Sequence, residues 1–356
     1  MSTVRHKQRI STIHDVAKES GFSVSTVSRV LNGKDDVAAE TTLKVQQVIK
    51  RLGYTSSLAA RSMRSHRTGV IGLVVPDVEQ SFPIQVMQGV NRAAAALDHD
   101  LIVYTSGDFR KNLSADRERH YVSLLNKSIT DGVIVVTPAA TKFPTEAPLV
   151  AVDPHNESND YPSVISTNYQ GALDAVQYLI SLGHTRIGYI AGRPDLQSAR
   201  DRLQAYRVAL QQAGLPVDEA LIEHGDFLAE SGQAGAEKML RLPCRPTAIF
   251  AANDQTAFGV YRAAAELGLN IPHDLSVVGF DNIPEAATVR PGLTTVDQFI
   301  QEMGVTATQI LIRLIKGEEI ESPIIRTPTQ LCIRESCEPV GLLRVVDTTG
   351  LVTDIR

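Results

Sequence analysis

The chain has 356 residues, 43% hydrophobic and 21% charged, so it is expected to hold two or three domains with a sizeable core and is not disordered. Its net charge of −5 is uneven: residues 1–67 carry 12 Lys/Arg against 5 Asp/Glu (+7), and the remaining residues 23 against 35 (−12). No run of about 18 apolar residues is present to cross a membrane.

The opening "MSTVRHKQRI" is polar and basic, without the apolar stretch of a signal peptide, so a cytoplasmic location is expected. "STIHDVAKES" predicts a short helix: Thr12 suits the N-cap, Asp15 follows three residues on, and Ile13, Val16 and Ala17 share a face. Gly21 permits a sharp turn, and Ser23 can cap a second helix from Val24 to Leu31, stopped by Asn32-Gly33. At about 100° per residue Val27, Val30 and Leu31 cluster, Ser25 and Arg29 lie nearly opposite, and Ser28 lies to the flank. Val24 sits at the edge of the apolar face, and periodicity does not decide its side. A third helix, Ala39 to Leu52, carries Val45, Val48, Ile49 and Leu52 on one stripe and ends at Gly53. Two helices joined by a tight turn and closed by a third is the helix-turn-helix plan, whose second helix reads base edges in the major groove. Serine hydroxyls pair with several bases, a valine methyl meets a thymine methyl, and Arg29 serves a base or a phosphate. The basic head on an acidic body agrees with a polyanion partner, and agrees equally with a solvated basic helix.

"TIHDVAKESGFSVSTVSRVLNG", with Asp15-Val16-Ala17, Gly21, Thr26-Val27-Ser28-Arg29-Val30 and Asn32, resembles the head of the lactose repressor / galactose repressor family of bacterial transcription regulators. The following "VIKRLGYTSSLAARSM" corresponds to a hinge segment that becomes helical on DNA, and Met63 stands at the wedge position that bends the duplex from the minor groove. Ser56 and Ser57 depart from the usual Pro-Asn, which bears on hinge preorganisation. The resemblance implies a DNA-contacting set of Thr12, Ser23, Val24, Ser25, Thr26, Ser28, Arg29, Asn32, Ala60 and Met63.

From Thr68 the texture changes to strand–helix alternation. Strands are predicted at "GVIGLVVPD", "DLIVYTS", "DGVIVVT" and "APLVAVD", with helices at 82–97 and 115–126. The pattern restarts after "SVIST": helices at 169–182, 198–213, 230–240, 255–267 and 299–315 alternate with strands "RIGYIAG", "TAIFAAND" and "DLSVVGFD". Two similar halves imply two open sheets across a cleft, where ligands bind beyond the carboxyl ends of strands. Asp77, Asp153, Asn253, Asp254 and Asp281 all stand at such ends, where capping the next helix is the lesser alternative for Asn253 and Asp254.

"LGHTRIGYIAG", "ANDQTAFG", "VVGFDN" and "GLTTVDQ" extend the resemblance to about residue 334. It implies an α/β fold: a helix-turn-helix head plus a two-subdomain, doubly wound periplasmic-binding-protein-like effector domain. The expected boundaries are 1–53 for the head, 54–67 for the hinge helix and linker, 68–335 for effector binding and dimerisation, and 336–356 for a tail. Effector contacts carry over to Asp77, Phe82, Asp153, Ser198, Arg202, Phe227, Asn253, Asp281 and Gln298. Carboxylates and a guanidinium make paired hydrogen bonds to vicinal hydroxyls, and aromatic rings stack on a sugar face. Phe227 stands where a tryptophan often serves, and a surface ion pair on an amphipathic helix is the lesser reading of Arg202. His184 in "LGH" reads as structural.

The implied function is a cytoplasmic repressor that binds pseudo-palindromic operator DNA as a homodimer and answers to a sugar. Helices near 82–97 and around Ala286–Arg290 are expected at the dimer interface by family position, and the tail lacks the leucine heptads of tetramers. Leu196 replaces the arginine of the purine-binding branch, which favours a carbohydrate over a purine; a phosphoprotein co-repressor is a further alternative. A transport-type binding protein fits the body but neither the basic head nor the missing signal peptide. An enzyme is disfavoured, since no nucleophile–base motif, metal spacing or phosphate loop accompanies Asp153, Asp281 and His184. Cys244, Cys332 and Cys337 form no metal-ligand pattern; a Cys332–Cys337 bridge is within reach, reduced thiols are the plainer reading, and no cofactor or metal is expected.

Overall fold

The computed structural model describes residues 11–31, 34, 36–54, 67–107, 115–125, 127–157 and 160–341, with the backbone of 343–346 and 352–355. The chain divides into two units, Met1–Thr68 with Lys127–Ile129, and Gly69–Asn126 with Thr130–Arg356.

In the first unit α1 (Ile13–Ser20), α2 (Val24–Leu31) and α3 (Ala39–Leu52) are each too short to persist alone. Their ends are therefore closed explicitly. The Asp15 N–H donates to Thr12 Oγ1 at 3.3 Å and the Thr12 N–H to Asp15 Oδ2 at 2.8 Å, a reciprocal cap on α1. Gly21, at φ 78°, ends α1 in the left-handed region that glycine enters without a Cβ clash. Ser23 Oγ then accepts from the Thr26 N–H at 3.1 Å and starts α2. Val16, Ala17, Val27, Val30, Val45 and Val48 pack together with Tyr54, which turns three marginal helices into one core.

The second unit holds two lobes. Lobe 1 has a parallel sheet of β1 (Val70–Val75), β2 (Asp100–Thr105), β3 (Gly132–Val136), β4 (Leu149–Val152), β5 (Ser163–Ser166) and β11 (Ile324–Thr327), in the order β11-β5-β4-β3-β1-β2. Although β1 and β3 read as unbroken apolar runs, their residues alternate between two cores. Ile71, Leu73 and Val75 face α4 (Ser81–Ala96) and α10 (Ile300–Ile315) in one cluster, and Val74, Val133 and Val135 join Val122 and Leu125, at the end of α5 (Ala115–Leu124), in another.

Lobe 2 repeats the plan with β6 (Ile187–Ala191), β7 (Ile222–His224), β8 (Ala248–Ala251), β9 (Ser276–Asp281), β10 (Thr294–Asp297) and β12 (Gln330–Cys332). The order is β12-β10-β9-β8-β6-β7, with β12 antiparallel. Helices α6 (Asn168–Ser181) and α7 (Gln197–Gln212) cover one face, and α8 (Ala229–Leu240) and α9 (Asp254–Glu266) the other. The tail forms a separate antiparallel hairpin, β13 (Leu343–Val346) and β14 (Val352–Ile355).

The chain crosses between lobes three times, at 166–168, 297–300 and 327–330. The crossings are bonded together: the Thr167 N–H donates to the Thr327 carbonyl at 2.9 Å, and the Thr329 N–H to Thr167 Oγ1 at 3.0 Å. This corrects one reading of the sequence. The helix at 299–315 follows the second half in the chain but packs in lobe 1 against α4. The helix expected around Ala286–Arg290 is a single 3-10 turn, Pro284–Ala287, whose Ala286 is buried in lobe 2. Strands β7, β10, β11 and β12 were also not anticipated; β10 is buried, yet Thr294 and Thr295 make it read as polar.

Each lobe closes one helix pair through glycine. A Cβ on Gly89 of α4 would overlap the Gln301 carbonyl of α10, and one on Gly304 would overlap the Val86 carbonyl. In lobe 2 the corresponding overlaps are Gly232 with the Thr256 carbonyl and Gly259 with that of Ala229. Gly259→Ala therefore has to separate α8 from α9. Urea unfolding is expected to lose about 1–3 kcal/mol with an unchanged m-value.

Candidate functional site

The outward edge of α2 is small and polar. Ser23, Ser25 and Arg29 are exposed, while Thr26 and Ser28 are half-buried. The hydroxyl of Ser23 lies 2.7 Å from that of Ser25 and 2.9 Å from Thr26 Oγ1, so three hydroxyls form one cluster at the start of the helix. Arg29 Nε donates to Asp36 Oδ1 at 3.2 Å. An exposed pair of this kind contributes little to stability, so a phosphate or base edge can replace the carboxylate at small cost. Val24 is half-buried against the head core, which explains why periodicity left it at the edge. The Thr12 hydroxyl is engaged in the α1 cap and donates to Asp15 Oδ2 at 2.7 Å. Asn32, Ala60 and Met63 lie outside the described residues.

In the second unit a cleft of about 590 Å³, counted out to its mouth, opens where strand ends from both lobes converge. Eight of the nine residues expected at the effector site line it. Lobe 1 supplies Phe82 from α4 and Asp153 just beyond β4; lobe 2 supplies Ser198 and Arg202 from α7, with Phe227, Asn253, Asp281 and Gln298 from strand-end segments. Asp77 is not among the lining. Its Oδ1 accepts the Glu79 and Gln80 N–H groups, each at 2.9 Å, and so shapes the turn into α4. Leu196, the position that separates this chain from the purine-binding branch, also lines the cleft, and sequence reading missed Thr137, Ser81, Gln80 and Gln255 there. Thr137 directly follows β3, so the strand-end rule that found Asp153 would have found it.

Arg202 is not a surface ion pair. It is 3% exposed, and Nε and Nη2 donate to Asn168 Oδ1 at 2.9 and 2.7 Å. Its Nη1 donates to the Ala252 carbonyl at 2.5 Å and stands 3.7 Å from Asp281 Oδ1. The guanidinium carbon lies 3.7 Å from the centroid of the Phe280 ring. Gln298 links the floor: its amide donates to Asp281, and its Oε1 accepts from Ser166 Oγ of lobe 1 at 2.6 Å. Ser198 Oγ donates to Asp153 Oδ2 across the cleft at 3.3 Å. Asn253 does two jobs, as its Oδ1 caps α9 by accepting the Thr256 N–H at 2.9 Å while its amide donates to the Phe227 carbonyl at 3.1 Å. Phe227, at φ 70°, lays its ring on Gly192, where a Cβ would overlap it.

Burial dominates the ionisation of the cleft acids. It pushes the Asp281 carboxyl up to about 7, against the opposing pull of Arg202 and the Gln298 hydrogen bond. It pushes Asp153 up to about 6, again opposed by Arg202 and by Ser198. Asp254, fully buried behind the cleft, is raised well above the usual range by burial and the neighbouring Asp281, and accepts from the Ile283 N–H at 2.9 Å. His184 is structural: its ring nitrogens lie 2.9 Å from Thr247 Oγ1 and 3.0 Å from Ser276 Oγ, and burial lowers its pKa. The three cysteines are free. Among the described residues no cluster of His, Cys, Asp or Glu is arranged to hold a metal, and no helix is long and apolar enough to cross a membrane.

Residues 12–57 match the model of bacterial regulatory proteins of the lacI family, and residues 176–337 match that of a periplasmic binding protein-like domain. The chain is 34% identical to Catabolite control protein A of Priestia megaterium, over 91% of this chain and 98% of that protein. It is 32% identical to the HTH-type transcriptional repressor PurR of Aliivibrio salmonicida, over 92% and 99%. The lac repressor dimer bound to operator and the anti-inducer ONPF superposes with a TM-score of 0.82 at 27% identity, covering 93% of this chain and 100% of that one. The transcriptional regulator CelR in complex with cellobiose superposes with a TM-score of 0.67 at 31% identity, covering 92% and 99%.

The raised carboxyls have a thermodynamic consequence. An ordinary aspartate ionises near 3.8, so between about 4 and 7 folded Asp281 retains a proton that the unfolded chain has released. Its contribution to stability then falls as pH rises through that window and is level above it. Calorimetric midpoints of the ligand-free chain test this: the midpoint of Asp281→Asn relative to the parent is expected to be higher at pH 8 than at pH 5, whatever its absolute sign. A relative midpoint that is higher at pH 5 contradicts it.

Proposed function

The chain belongs to the lacI family of bacterial regulatory proteins, a non-catalytic DNA-binding regulator with an effector domain, and from that premise we propose that it is a cytoplasmic, homodimeric repressor whose operator affinity is set by a small uncharged carbohydrate. One observation carries the choice of ligand. Paired hydrogen-bonding groups, Asp153, Asn253 and Asp281, line one cleft together with two aromatic rings, Phe82 and Phe227. Carboxylates and amides of this kind take adjacent hydroxyls in pairs, and rings cover the apolar face of a pyranose. Arg202 is the one cation of that lining, and much of its hydrogen-bonding capacity is already directed at Asn168 and Ala252. Two acids beside one engaged cation oppose a phosphorylated or carboxylated ligand. Leu196 adds an apolar wall where the purine-binding branch of the family has arginine. The similar regulator CelR was solved with cellobiose, which agrees with this reading.

On the DNA side the proposed readers are Ser25 and Arg29, with Val24, Ser28, Thr26 and Ser23 beside them, on a head that carries the chain's positive charge. Thr12, Asn32, Ala60 and Met63 complete the proposed contact set. The proposed domain limits are 1–53, 54–67, 68–335 and 336–356. Effector and operator then act on each other reciprocally, because a coupling free energy between two sites has no direction.

A thermal-shift screen of neutral mono- and disaccharides, their phosphates and purines tests the ligand class, since a ligand of the folded state raises the midpoint. A neutral sugar is expected to respond, and stabilisation only by a phosphate or a purine rejects the reading. If no small molecule responds, a phosphoprotein co-repressor becomes the better reading. Asp281→Asn is expected to abolish the sugar response while operator binding in a gel-shift assay is retained. On a randomised operator library, Ser25→Ala is expected to change base preference by about 1–3 kcal/mol per affected base pair. An unchanged preference removes Ser25 from the reading face.

A further inference from the structure

Outside the cleft the lobes are tied by a side chain that does not line it. Arg200 lies on α7 between Ser198 and Arg202, two residues from each, and therefore leaves the helix in another direction. Its Nη2 donates to the backbone carbonyl of His155 at 3.0 Å and reaches Asn156 Oδ1 at 3.4 Å, both in the lobe 1 segment that follows β4. Within lobe 2 the guanidinium is fixed by the Pro194 carbonyl at 2.9 Å and Gln197 Oε1 at 2.7 Å. The other approach beside it is not an ion pair at neutral pH, because burial lowers the His155 pKa to about 4. Asp195, gripped by Arg193 at 3.0 and 2.6 Å, places a carboxylate 3.5 Å from Nδ1 of buried His155.

The position of this tie gives it leverage. The chain crosses between lobes beyond β5, β10 and β11, whereas the tie in lobe 2 follows β6, which β8 and β9 separate from β10. Asp153 precedes the His155 carbonyl by two residues and is held at φ 49°, in the left-handed region. The direct Ser198–Asp153 bond is long, at 3.3 Å, so it does little alone to hold the two walls together. A charged donor on a main-chain carbonyl is stronger.

We infer that Arg200 is a positioning residue: by tying α7 to the His155 carbonyl it holds Asp153 opposite Ser198 and sets how far the cleft is closed before any ligand arrives. Its consequence for regulation rests on the effector reading above. The tie itself does not, and the test needs no ligand, so a failed sugar screen leaves it untouched.

Amide hydrogen exchange of the full chain, read by mass spectrometry without added ligand, compares the parent with Arg200→Ala and Arg200→Lys. In Arg200→Ala, peptides over 151–157 and the cleft-facing segments near 281 and 298 are expected to exchange about fivefold faster or more, while edge strands β2 and β7 keep the parent rate. Arg200→Lys, which retains one charged donor, is expected to fall between the two, and it carries the comparison alone if Arg200→Ala does not fold. Acceleration confined to 193–200 makes Arg200 a local support and overturns the inference. So does uniform acceleration of both lobes, which means lost global stability, and so does no change.

Discussion

A buried guanidinium has to find its partners inside the protein, and the arrangement of the cleft follows from how Arg202 does so. Its charge is taken out of water by the Phe280 ring, the Asn168 side chain and the Ala252 carbonyl. These belong to β9, to α6 at the first crossing, and to the end of β8. Asp281 completes the set from the last residue of β9. Removing one partner of such a group leaves an uncompensated charge, which typically costs 3–5 kcal/mol. The floor of the cleft is therefore a rigid template, and Gln298 carries it to lobe 1 through Ser166.

The two lobes reach similar forms by the same physics. Parallel sheets bury both faces, so each needs helices on two sides, and in each lobe one helix pair approaches closely enough to require glycine. The lobes differ in how the chain assembles them. Lobe 2 takes its four helices from one continuous stretch, whereas lobe 1 borrows α10 and β11 from beyond it.

Much of this was legible in the residues because local signals and tertiary demands agreed. Thr12, Gly21 and Ser23 announce the limits of the first two helices, and the structure uses each as a cap or a turn. Asp153, Asn253 and Asp281 stand at strand ends, and all three line the cleft. The reading went astray where the use of a side chain depends on neighbours that its local pattern does not show. Asp77 has the same strand-end context as Asp153, but its carboxylate is spent on two following amides. Arg202 enters the expected cleft set by resemblance alone, because on an amphipathic helix it cannot be told from a surface residue until Phe280 and Asp281 are placed beside it. Strand β10 escaped because Thr294 and Thr295 are buried through hydrogen bonds to Ser336, Arg334 and Asp254, so its burial is not written as hydrophobicity. The return of 300–315 to lobe 1 has no local signature, because an amphipathic helix does not specify which sheet it covers.

The threefold crossing also bears on the order in which the protein is made. A ribosome delivers most strands of lobe 1 first, yet that lobe lacks one of the two helices that cover one face until residue 315 has emerged, and an edge strand until residue 327. The main body of lobe 2 lies wholly within residues 168–297 and is complete earlier. Domains released during synthesis usually mature from the N-terminus onward. Here the later half of the cleft can fold first, and the earlier half must keep the apolar face of β1, β3 and β4 waiting for a segment encoded some 150 residues downstream of β4. During that interval the nascent chain exposes the surface that α10 later covers, which makes this face a natural place for a chaperone to act.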